Sequence, residues 1–244
     1  MSAPGAPLSE PLWASRAALA AVDTWVFDLD NTLYPAGSDL WPKIDQRITL
    51  YIMMLYGLDG LSARALQKFF YQRFGTTLRG LMEAEGIDPE PYLAFVHDID
   101  RTSIIANPAL AAAIKALPGR KLIFTNGSRS HAEKTAEALG LGGLFEDVFD
   151  IVASELVPKP EPGPYASFLN RHGVDPARAV MIEDIPRNLT VPKTLGMTTV
   201  LVVPAAGAID TREAFEIVGA DVPAHVDFVT ADLTAFLLSA TARG

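Results

Sequence analysis

Short apolar runs recur along the chain, and most of them lead through a turn into a helical pattern. These runs are TWVFD (24–28), KLIFT (121–125), DIVAS (150–154), AVMIE (179–183), TTVLVV (198–203) and HVDFV (225–229). They are continuously apolar and rich in β-branched residues, which is typical of strands that are covered on both faces. The pattern predicts a parallel sheet built from successive strand–helix units.

A long stretch without a strand pattern, about residues 37 to 115, separates the first run from the second. Its apolar residues recur at three- and four-residue spacing, which predicts helices. The first such series is Trp41, Ile44, Ile48, Tyr51, Ile52 and Leu55. Helix ends are predicted at Gly57, Gly75 and Gly86. The fold class is therefore predicted as α/β, a Rossmann-like parallel sheet core with helices on both faces and an inserted all-helical cap.

The predicted division of the chain follows from this layout. We expect a flexible N-terminal tail at 1–20, an α/β core at 21–36 and 116–244, and a helical cap at 37–115. The tail contains three prolines and lacks the basic and apolar regions of a secretory signal. No run approaches the roughly 18 apolar residues that a membrane-spanning helix needs.

Composition narrows the classes of partner. The formal net charge of −9 argues against a nucleic-acid polymer, because phosphate backbones bind clustered Lys and Arg. The sequence contains no cysteine, which excludes disulfides, thiolate chemistry and cysteine-type zinc sites. We expect a cytoplasmic protein that binds a small molecule and no membrane.

Polar residues follow several of the apolar runs and form a candidate site. In open α/β sheets, ligands bind at the carboxyl ends of the strands. In chain order the candidates are Asp28, Asp30, Thr125, Asn126, Lys159, Glu183 and Asp184. One site would then contain four carboxylates together with a hydroxyl, an amide and an ammonium group.

Four carboxylates at one site are unfavourable unless a cation is bound. Two unit charges about 4 Å apart repel by roughly 4 kcal/mol at an effective dielectric constant near 20. Oxygen ligands without a His or Cys partner favour a hard divalent ion, and carboxylates that leave space for water and a phosphate oxygen suit Mg²⁺. The sequence therefore predicts a magnesium site.

The ordered set of motifs resembles the haloacid dehalogenase-like hydrolase superfamily. The segments that carry the resemblance are FDLDNTL, FTNGS, the lysine of VPKPEPGPY, and MIEDIPRN. The resemblance covers nearly all of the chain after residue 20. Within the superfamily, DLDNTLYP and RNLTVPKTLGMTTVLV are most similar to the branch of pyrimidine 5′-nucleotidases.

The resemblance implies phosphoryl transfer through a covalent aspartyl-phosphate. Asp28 would be the nucleophile, and Asp30 would protonate the leaving alcohol and then activate the hydrolytic water. Dehalogenating relatives lack a carboxylic acid at the second position, because a halide leaves without a proton. Asp30 therefore favours a phosphatase over a dehalogenase.

The resemblance also implies a ligand set for Mg²⁺. The ion would be held by the Asp28 carboxylate, the Asp30 backbone carbonyl and Asp184, with Glu183 nearby or acting through water. Many relatives carry Ser or Thr directly after the acidic pair, whereas this chain has Ile185. We expect metal binding to persist without the hydrogen bond of that hydroxyl.

The implied phosphate contacts come from the second and third motifs. Thr125 would donate its hydroxyl to a phosphate oxygen, together with the backbone N–H groups of Asn126 and Gly127. Lys159 would offset the charge of the phosphoryl group and orient Asp28.

The cap is expected to close over the site and to select the leaving group. In YQRFGTTLRGL (71–81), we expect Phe74 to stack on a base and Arg73 to contact its polar edge.

The histidines His97, His131, His172 and His225 form no metal set in the sequence. His97 is either a substrate contact or a surface helix end. Ser130 and Glu133 fit a capping box.

The sequence thus favours a Mg²⁺-dependent pyrimidine 5′-nucleotidase of the UMP or CMP type. The alternatives within the same chemistry are a sugar-phosphate phosphatase and a phosphoglucomutase-like enzyme. A phospho-acceptor signalling module and a catalytically silent binding protein are further alternatives. The helical insert and the aspartate pair argue against both.

Overall fold

The computed structural model describes residues 19–208, 210, 212–213, 216 and 222–241. All but the last two residues of the expected N-terminal tail lie outside this range. Six strands form one sheet in the order β3-β2-β1-β4-β5-β6, and every pair is parallel. They are β1 Thr24–Phe27, β2 Arg120–Phe124, β3 Asp147–Phe149, β4 Ala179–Glu183, β5 Thr198–Val202 and β6 Phe228–Thr230. The predicted fold class is confirmed.

Strand β1 lies at the centre of the sheet, between β2 and β4. From β1 the chain builds outward through β2 and β3 on one side, and through β4, β5 and β6 on the other. The connections therefore diverge at the carboxyl ends of β1, β2 and β4, which opens a crevice there. Because Phe27 pairs with both Ile123 and Ile182, the three strands end at the same level.

Two predicted strands are displaced in the structure. The run at 150–154 is a turn, because the Asp150 carboxylate accepts hydrogen bonds from the N–H groups of Ala153 and Arg129 (2.9 and 2.8 Å); the strand precedes it, at β3. The last strand begins at Phe228 instead of residue 225. There the Asp227 carboxylate accepts the backbone N–H of Thr199 (3.0 Å), which fixes the strand start.

Five helices lie between β1 and β2, and four others follow β2 in the described part of the chain. The first five are α1 Leu40–Tyr56, α2 Gly60–Phe74, α3 Thr77–Glu85, α4 Pro89–Val96 and α5 Pro108–Ala116. The others are α6 Arg129–Ala138, α7 Pro162–His172, α8 Thr190–Leu195 and α9 Leu233–Thr241. The predicted stops are confirmed: Gly57, Gly75 and Gly86 directly follow α1, α2 and α3 with positive φ. None of the described helices has the length and apolar character needed to span a bilayer.

Apolar side chains pack in two clusters around the sheet and a third in the helices of the insert. Trp25 and Phe27 belong to one sheet cluster and Val26 to the other, as expected for a strand covered on both faces. The third cluster joins α1 to α4. Helix α5 instead packs in a sheet cluster through Leu110 and Ile114. We therefore propose that the cap ends before α5, not at residue 115.

Candidate active site

Asp28 directly follows the central strand and opens the site. Its backbone N–H donates to the carbonyl of Ile182 (2.9 Å), so the ladder with β4 extends one residue past the strand. The chain then turns sharply: Leu33 N–H donates to the Leu29 carbonyl (3.0 Å), and Asn31 adopts a left-handed conformation with φ 58°. Asparagine tolerates that conformation better than most residues. The turn places Asp30 beside Asp28 at the mouth of the crevice.

Lys159 is fully buried beneath Asp28. Its Nζ donates to Asp28 Oδ1 (2.7 Å) and to the Phe124 carbonyl (2.8 Å). The side chain of Asn126 holds the backbone of the lysine on both sides: Oδ1 accepts from Lys159 N (2.8 Å), and Nδ2 donates to Lys159 O (3.2 Å). The amide of Asn126 therefore anchors the lysine loop to the end of β2.

Thr125 and Gly127 shape a small cradle beside Asp30. Thr125 Oγ1 accepts the Gly127 N–H (2.9 Å), so that N–H is engaged and the threonine O–H is left to donate. The backbone N–H of Asn126 makes no hydrogen bond within the described part of the chain. A Cβ on Gly127 would lie 3.3 Å from Thr125 Oγ1 and 3.7 Å from Asp30 Oδ2. Glycine thus leaves space beside Thr125 and Asp30 that a side chain would occupy.

Asp28 also belongs to a cluster of three buried carboxylates. Oxygen atoms of Asp28, Glu183 and Asp184 lie within 4.8 Å of one another. Glu183 is already engaged by the protein: it accepts the backbone N–H of Asp184 (3.1 Å) and the side-chain amide of Asn188. Asn188 thereby supplies a hydrogen bond to the acidic pair although Ile185 has no hydroxyl. Sequence reasoning missed this residue, although it belongs to the quoted MIEDIPRN motif.

Burial and repulsion from neighbouring carboxylates disfavour the charged forms of Asp28 and Asp184. Burial and the charge of Glu183 raise the pKa of Asp28 to about 8, against the attraction of Lys159. Burial, Glu183 and Asp28 raise the pKa of Asp184 well above its ordinary range. For Lys159, burial lowers the pKa, but attraction to Asp28 and Glu183 outweighs it and raises the pKa. A set of carboxylate oxygens with too little positive charge fits a hard divalent cation such as Mg²⁺.

Asp30 faces a different environment from Asp28. Its Oδ1 accepts hydrogen bonds from Tyr34 Oη (2.5 Å) and from the ring of His131 (2.9 Å to Nε2). Burial raises the pKa of Asp30, but the interactions of its carboxylate with His131 and the hydrogen bond from Tyr34 outweigh burial, so the net shift is downward. The pKa of Asp28 is thus raised and the pKa of Asp30 is lowered. Such a difference is typical of paired carboxyl groups with separate roles.

Sequence reasoning missed His131 because it placed the helix start two residues late. The predicted capping box at Ser130 and Glu133 is wrong. Helix α6 begins at Arg129, and Ser128 is its N-cap, with Oγ accepting from His131 N (3.3 Å). In that register His131 lies in the first turn of the helix that follows β2, with Nε2 2.9 Å from Asp30 Oδ1. Its position just after the FTNGS motif was the available signal.

A cavity of about 150 Å³ lies between the strand ends and the cap. Its floor is formed by the polar groups described above. Its roof combines apolar residues of α1, α3 and α4 with polar residues of α1 and α2. The apolar residues are Ile44, Ile48, Leu78, Tyr92, Leu93 and Val96, and the polar ones include Asp45, Gln67 and Lys68. His97, at the end of α4, also lines the cavity and stacks on His131, with 4.5 Å between ring centroids. Burial lowers the pKa of His97 to about 3, so its ring is neutral near pH 7.

The structure does not bring Arg73 and Phe74 to this cavity, because neither is among its lining residues. Phe74 packs one helical turn from Phe70 in the cap cluster, with 6.0 Å between ring centroids. Arg73 is on the exposed side of α2. From the same segment, Thr76 and Thr77 do line the cavity.

Comparison with known proteins connects this geometry to a family. A family model for haloacid dehalogenase-like hydrolases matches residues 22–196. Phosphate metabolism protein 8 of Saccharomyces cerevisiae is 26% identical over 191 residues, which are 72% of this chain. The match spans 60% of the length of that relative.

Two solved structures show the same fold at low identity. One is L-2-haloacid dehalogenase from Xanthobacter autotrophicus with chloropropionic acid covalently bound (TM-score 0.53, 18% identity, 89% of this chain and 97% of that chain). The other is a HAD-family hydrolase from Deinococcus radiodurans R1 with bound phosphate and sodium (TM-score 0.51, 22% identity, 91% and 95%). Because the family model covers more than half of its length, the chain belongs to the haloacid dehalogenase-like hydrolases.

Proposed function

We propose that the protein is a Mg²⁺-dependent phosphomonoesterase that acts through an aspartyl-phosphate on Asp28. The observation that carries the proposal is the pair of aspartates in opposite environments. Asp28 contacts Lys159 and the acidic cluster, whereas Asp30 has its own hydrogen-bond donors and lies beside the Gly127 cradle. A phosphate ester needs both groups, because its alcohol leaves with a proton and a halide does not.

The acidic cluster would hold Mg²⁺ through Asp28 and Asp184, with the backbone carbonyl of Asp30. Glu183 would hold Asp184 in position, because its carboxylate already accepts hydrogen bonds from the Asp184 backbone N–H and the Asn188 side chain. When bound, the ion would neutralise charge on the phosphoryl group and on Asp28. The raised pKa values of Asp28 and Asp184 support the need for such a charge.

The cradle would bind the phosphoryl oxygens. Thr125 can donate its hydroxyl, and the Asn126 backbone N–H has no competing acceptor in the described part of the chain. Lys159 orients Asp28 through its 2.7 Å contact and offsets the negative charge of the reacting group. Because the Gly127 N–H already donates to Thr125, Gly127 would contribute space for the phosphoryl group and no hydrogen bond.

Asp30 would give a proton to the leaving oxygen and then take one from the attacking water. Its lowered pKa keeps the anion prevalent near pH 7, which suits the half in which Asp30 takes a proton from water. The side chain lines the cavity together with Asp28, so it is within reach of a bound ester.

For the substrate we propose a nucleoside monophosphate of the pyrimidine type. Part of the roof is apolar, and Tyr92 offers a ring and a hydroxyl without a hydrogen-bond partner among the described residues. This part of the wall suits a planar base, and the polar residues Asp45 and Gln67 beside it offer partners for polar groups of the nucleoside. The phosphate bound to the Deinococcus structure and the name of the yeast relative support a phosphate ester.

A release assay tests the proposal. Purified enzyme is given UMP, CMP, glucose 6-phosphate or L-2-chloropropionate, with Mg²⁺ or with EDTA, and inorganic phosphate or chloride is measured. We expect Mg²⁺-dependent phosphate release that is fastest with the nucleotides and absent in Asp28→Asn. Chloride release, or phosphate release that persists at full rate in Asp28→Asn, would contradict the proposal.

A further inference from the structure

A group of buried donors surrounds one oxygen of Asp30. Tyr34 Oη and His131 Nε2 both lie within hydrogen-bond distance of Oδ1, at 2.5 and 2.9 Å. His131 has no exposed surface and Tyr34 has 2%. His131 lies outside the four motifs, and Tyr34 directly follows the first of them, FDLDNTL. The contacts therefore need an explanation beyond those motifs.

Arg101 determines which nitrogen of His131 carries the proton. Arg101 Nη2 lies 2.8 Å from His131 Nδ1. A guanidinium has only donors, so Nδ1 must be the acceptor and the ring proton must be on Nε2. The same Nη2 donates to the His97 carbonyl (3.3 Å), and Nη1 donates to the Ile99 carbonyl (3.1 Å). These contacts hold the guanidinium in place, and His131 thus presents Nε2–H to Asp30.

A carboxyl oxygen that accepts two hydrogen bonds cannot itself carry a proton toward those donors. The proton of the acid form must therefore reside on Asp30 Oδ2. This oxygen faces the Gly127 cradle, since a Cβ on Gly127 would lie 3.7 Å from it. The donors thus assign different tasks to the two oxygens: Oδ1 is anchored, and Oδ2 is free to exchange a proton with a bound ester.

We propose that His131, held by Arg101, is a positioning residue that makes Oδ2 the proton-transferring atom of Asp30. The inference rests on the proposed phosphatase function. In the first step a bond forms between Asp28 and phosphorus, the ester P–O bond breaks, and the leaving oxygen takes the proton from Oδ2. In the second step water attacks phosphorus, its proton passes to Oδ2, and the P–O bond to Asp28 breaks. His131 touches Asp30 and takes no proton itself.

Leaving-group dependence tests this role. The alcohol of CMP needs a proton to leave, whereas the phenolate of p-nitrophenyl phosphate leaves well without one. We expect His131→Leu to slow single-turnover release of cytidine from CMP by about 10²-fold, with KM unchanged. Single-turnover release of p-nitrophenol should change by much less. His131→Gln, whose amide N–H can replace Nε2–H, should restore most of the rate with CMP.

His172 provides a matched control. It is also a buried histidine whose Nε2 lies 3.0 Å from a carboxylate, that of Asp147, and its Nδ1 lies 3.0 Å from the Phe168 carbonyl. Asp147 lies outside the cavity lining. His172→Leu should lower the melting temperature and leave the ratio of the two single-turnover rates at the wild-type value.

The outcomes separate the possible failures. Equal slowing of both esters in His131→Leu, or no recovery in His131→Gln, overturns the positioning role and leaves the phosphatase proposal intact. A wild-type enzyme that releases no phosphate from either ester overturns both. If His131→Leu does not fold, Arg101→Leu carries the test, because loss of the fixed tautomer should produce the same selective effect on CMP at smaller size.

Discussion

The floor and the roof of the cavity are built on different physical principles. The floor consists of buried polar groups at three strand ends, each held by several directed contacts, such as those of Lys159 with Asp28 and Phe124. Much of the roof consists of apolar side chains on cap helices, which pack without directed partners, and one polar group of Asp45, Gln67 and Lys68 lies beside them. Directed contacts fix atoms for chemistry, whereas an apolar wall selects by shape. We therefore expect substitutions in the floor to abolish the catalytic rate and substitutions in the roof to alter the substrate preference.

The largest effect is expected at the nucleophile. Asp28→Asn keeps the shape of the side chain but removes the attacking anion, and loss of a covalent nucleophile costs on the order of 10⁶-fold in kcat. Steady-state phosphate release from CMP measures it. Arg73→Ala, which is exposed and outside the cavity, is the control and should stay within about twofold of wild type. A large loss of kcat in Arg73→Ala would show that Arg73 contributes to the site.

The next effect concerns the metal and pH. In the metal-free protein the pKa of Asp28 is raised from 3.8 to about 8, so its protonated form belongs to the folded state. The associated stability is complete below about pH 4 and is lost as the pH rises through 8. We expect the melting temperature without metal to fall from pH 5 to pH 8.

Added Mg²⁺ should counteract that loss. At about 100 times Kd, a ligand of the folded state contributes roughly 2.7 kcal/mol, which corresponds to about 5–10 °C in a chain of this size. The shift should be larger at pH 8 than at pH 5.5, where protons compete with the ion. Thermal scans at both pH values, with Ca²⁺ for comparison, measure it. A shift that does not depend on pH would contradict the proposed ligand set.

A smaller effect is expected at Asn188, which contacts the acidic pair Glu183 and Asp184 through Glu183. Asn188 donates to Glu183, and loss of such a supporting contact typically costs about 10- to 100-fold in metal affinity or activity. Asn188→Ala should therefore need more Mg²⁺ for half-maximal activity. The matched control is Asn170→Ala, on the exposed face of α7, which should behave as wild type. Equal Mg²⁺ requirements in both variants would exclude a role for Asn188 at the metal.

The smallest effect is expected in the roof. Tyr92→Phe removes one hydroxyl from the cavity wall, and a lost hydrogen bond of about 0.5–1.5 kcal/mol corresponds to roughly a 2- to 10-fold rise in KM for CMP. Tyr51→Phe is the control, because Tyr51 packs against Tyr92 (4.9 Å between ring centroids) but does not line the cavity. A change in kcat instead of KM would show that the roof contributes to the chemistry.

The same contrast explains which features the sequence could predict. Asp28, Lys159 and Asp184 follow recognisable strands or motifs, and parallel strands bring their carboxyl ends together whatever the details of packing. The structure accordingly places these three side chains in one cavity. The displaced strand at 150–154 did not affect this result, because β3 directly precedes that segment and Lys159 still lies in the loop that follows it.

Residues on helices were harder to place, because their direction depends on helix register. Phe74 turns into the cap cluster since it lies one turn after Phe70, and Arg73 then faces outward. The role of His131 depended on Ser128, not Ser130, being the N-cap. A shift of two residues rotates a helix by roughly 200°, which is enough to exchange a site residue for a surface residue.

The most direct test of the central claim is to trap the covalent intermediate. Enzyme mixed with CMP and Mg²⁺ is quenched in acid within one turnover, digested, and analysed by mass spectrometry. We predict a phosphoryl group on the peptide that contains Asp28, lost on treatment with hydroxylamine and missing in Asp28→Asn. Turnover of CMP without any phosphorylated Asp28, or with the phosphoryl group on another residue, would contradict the account.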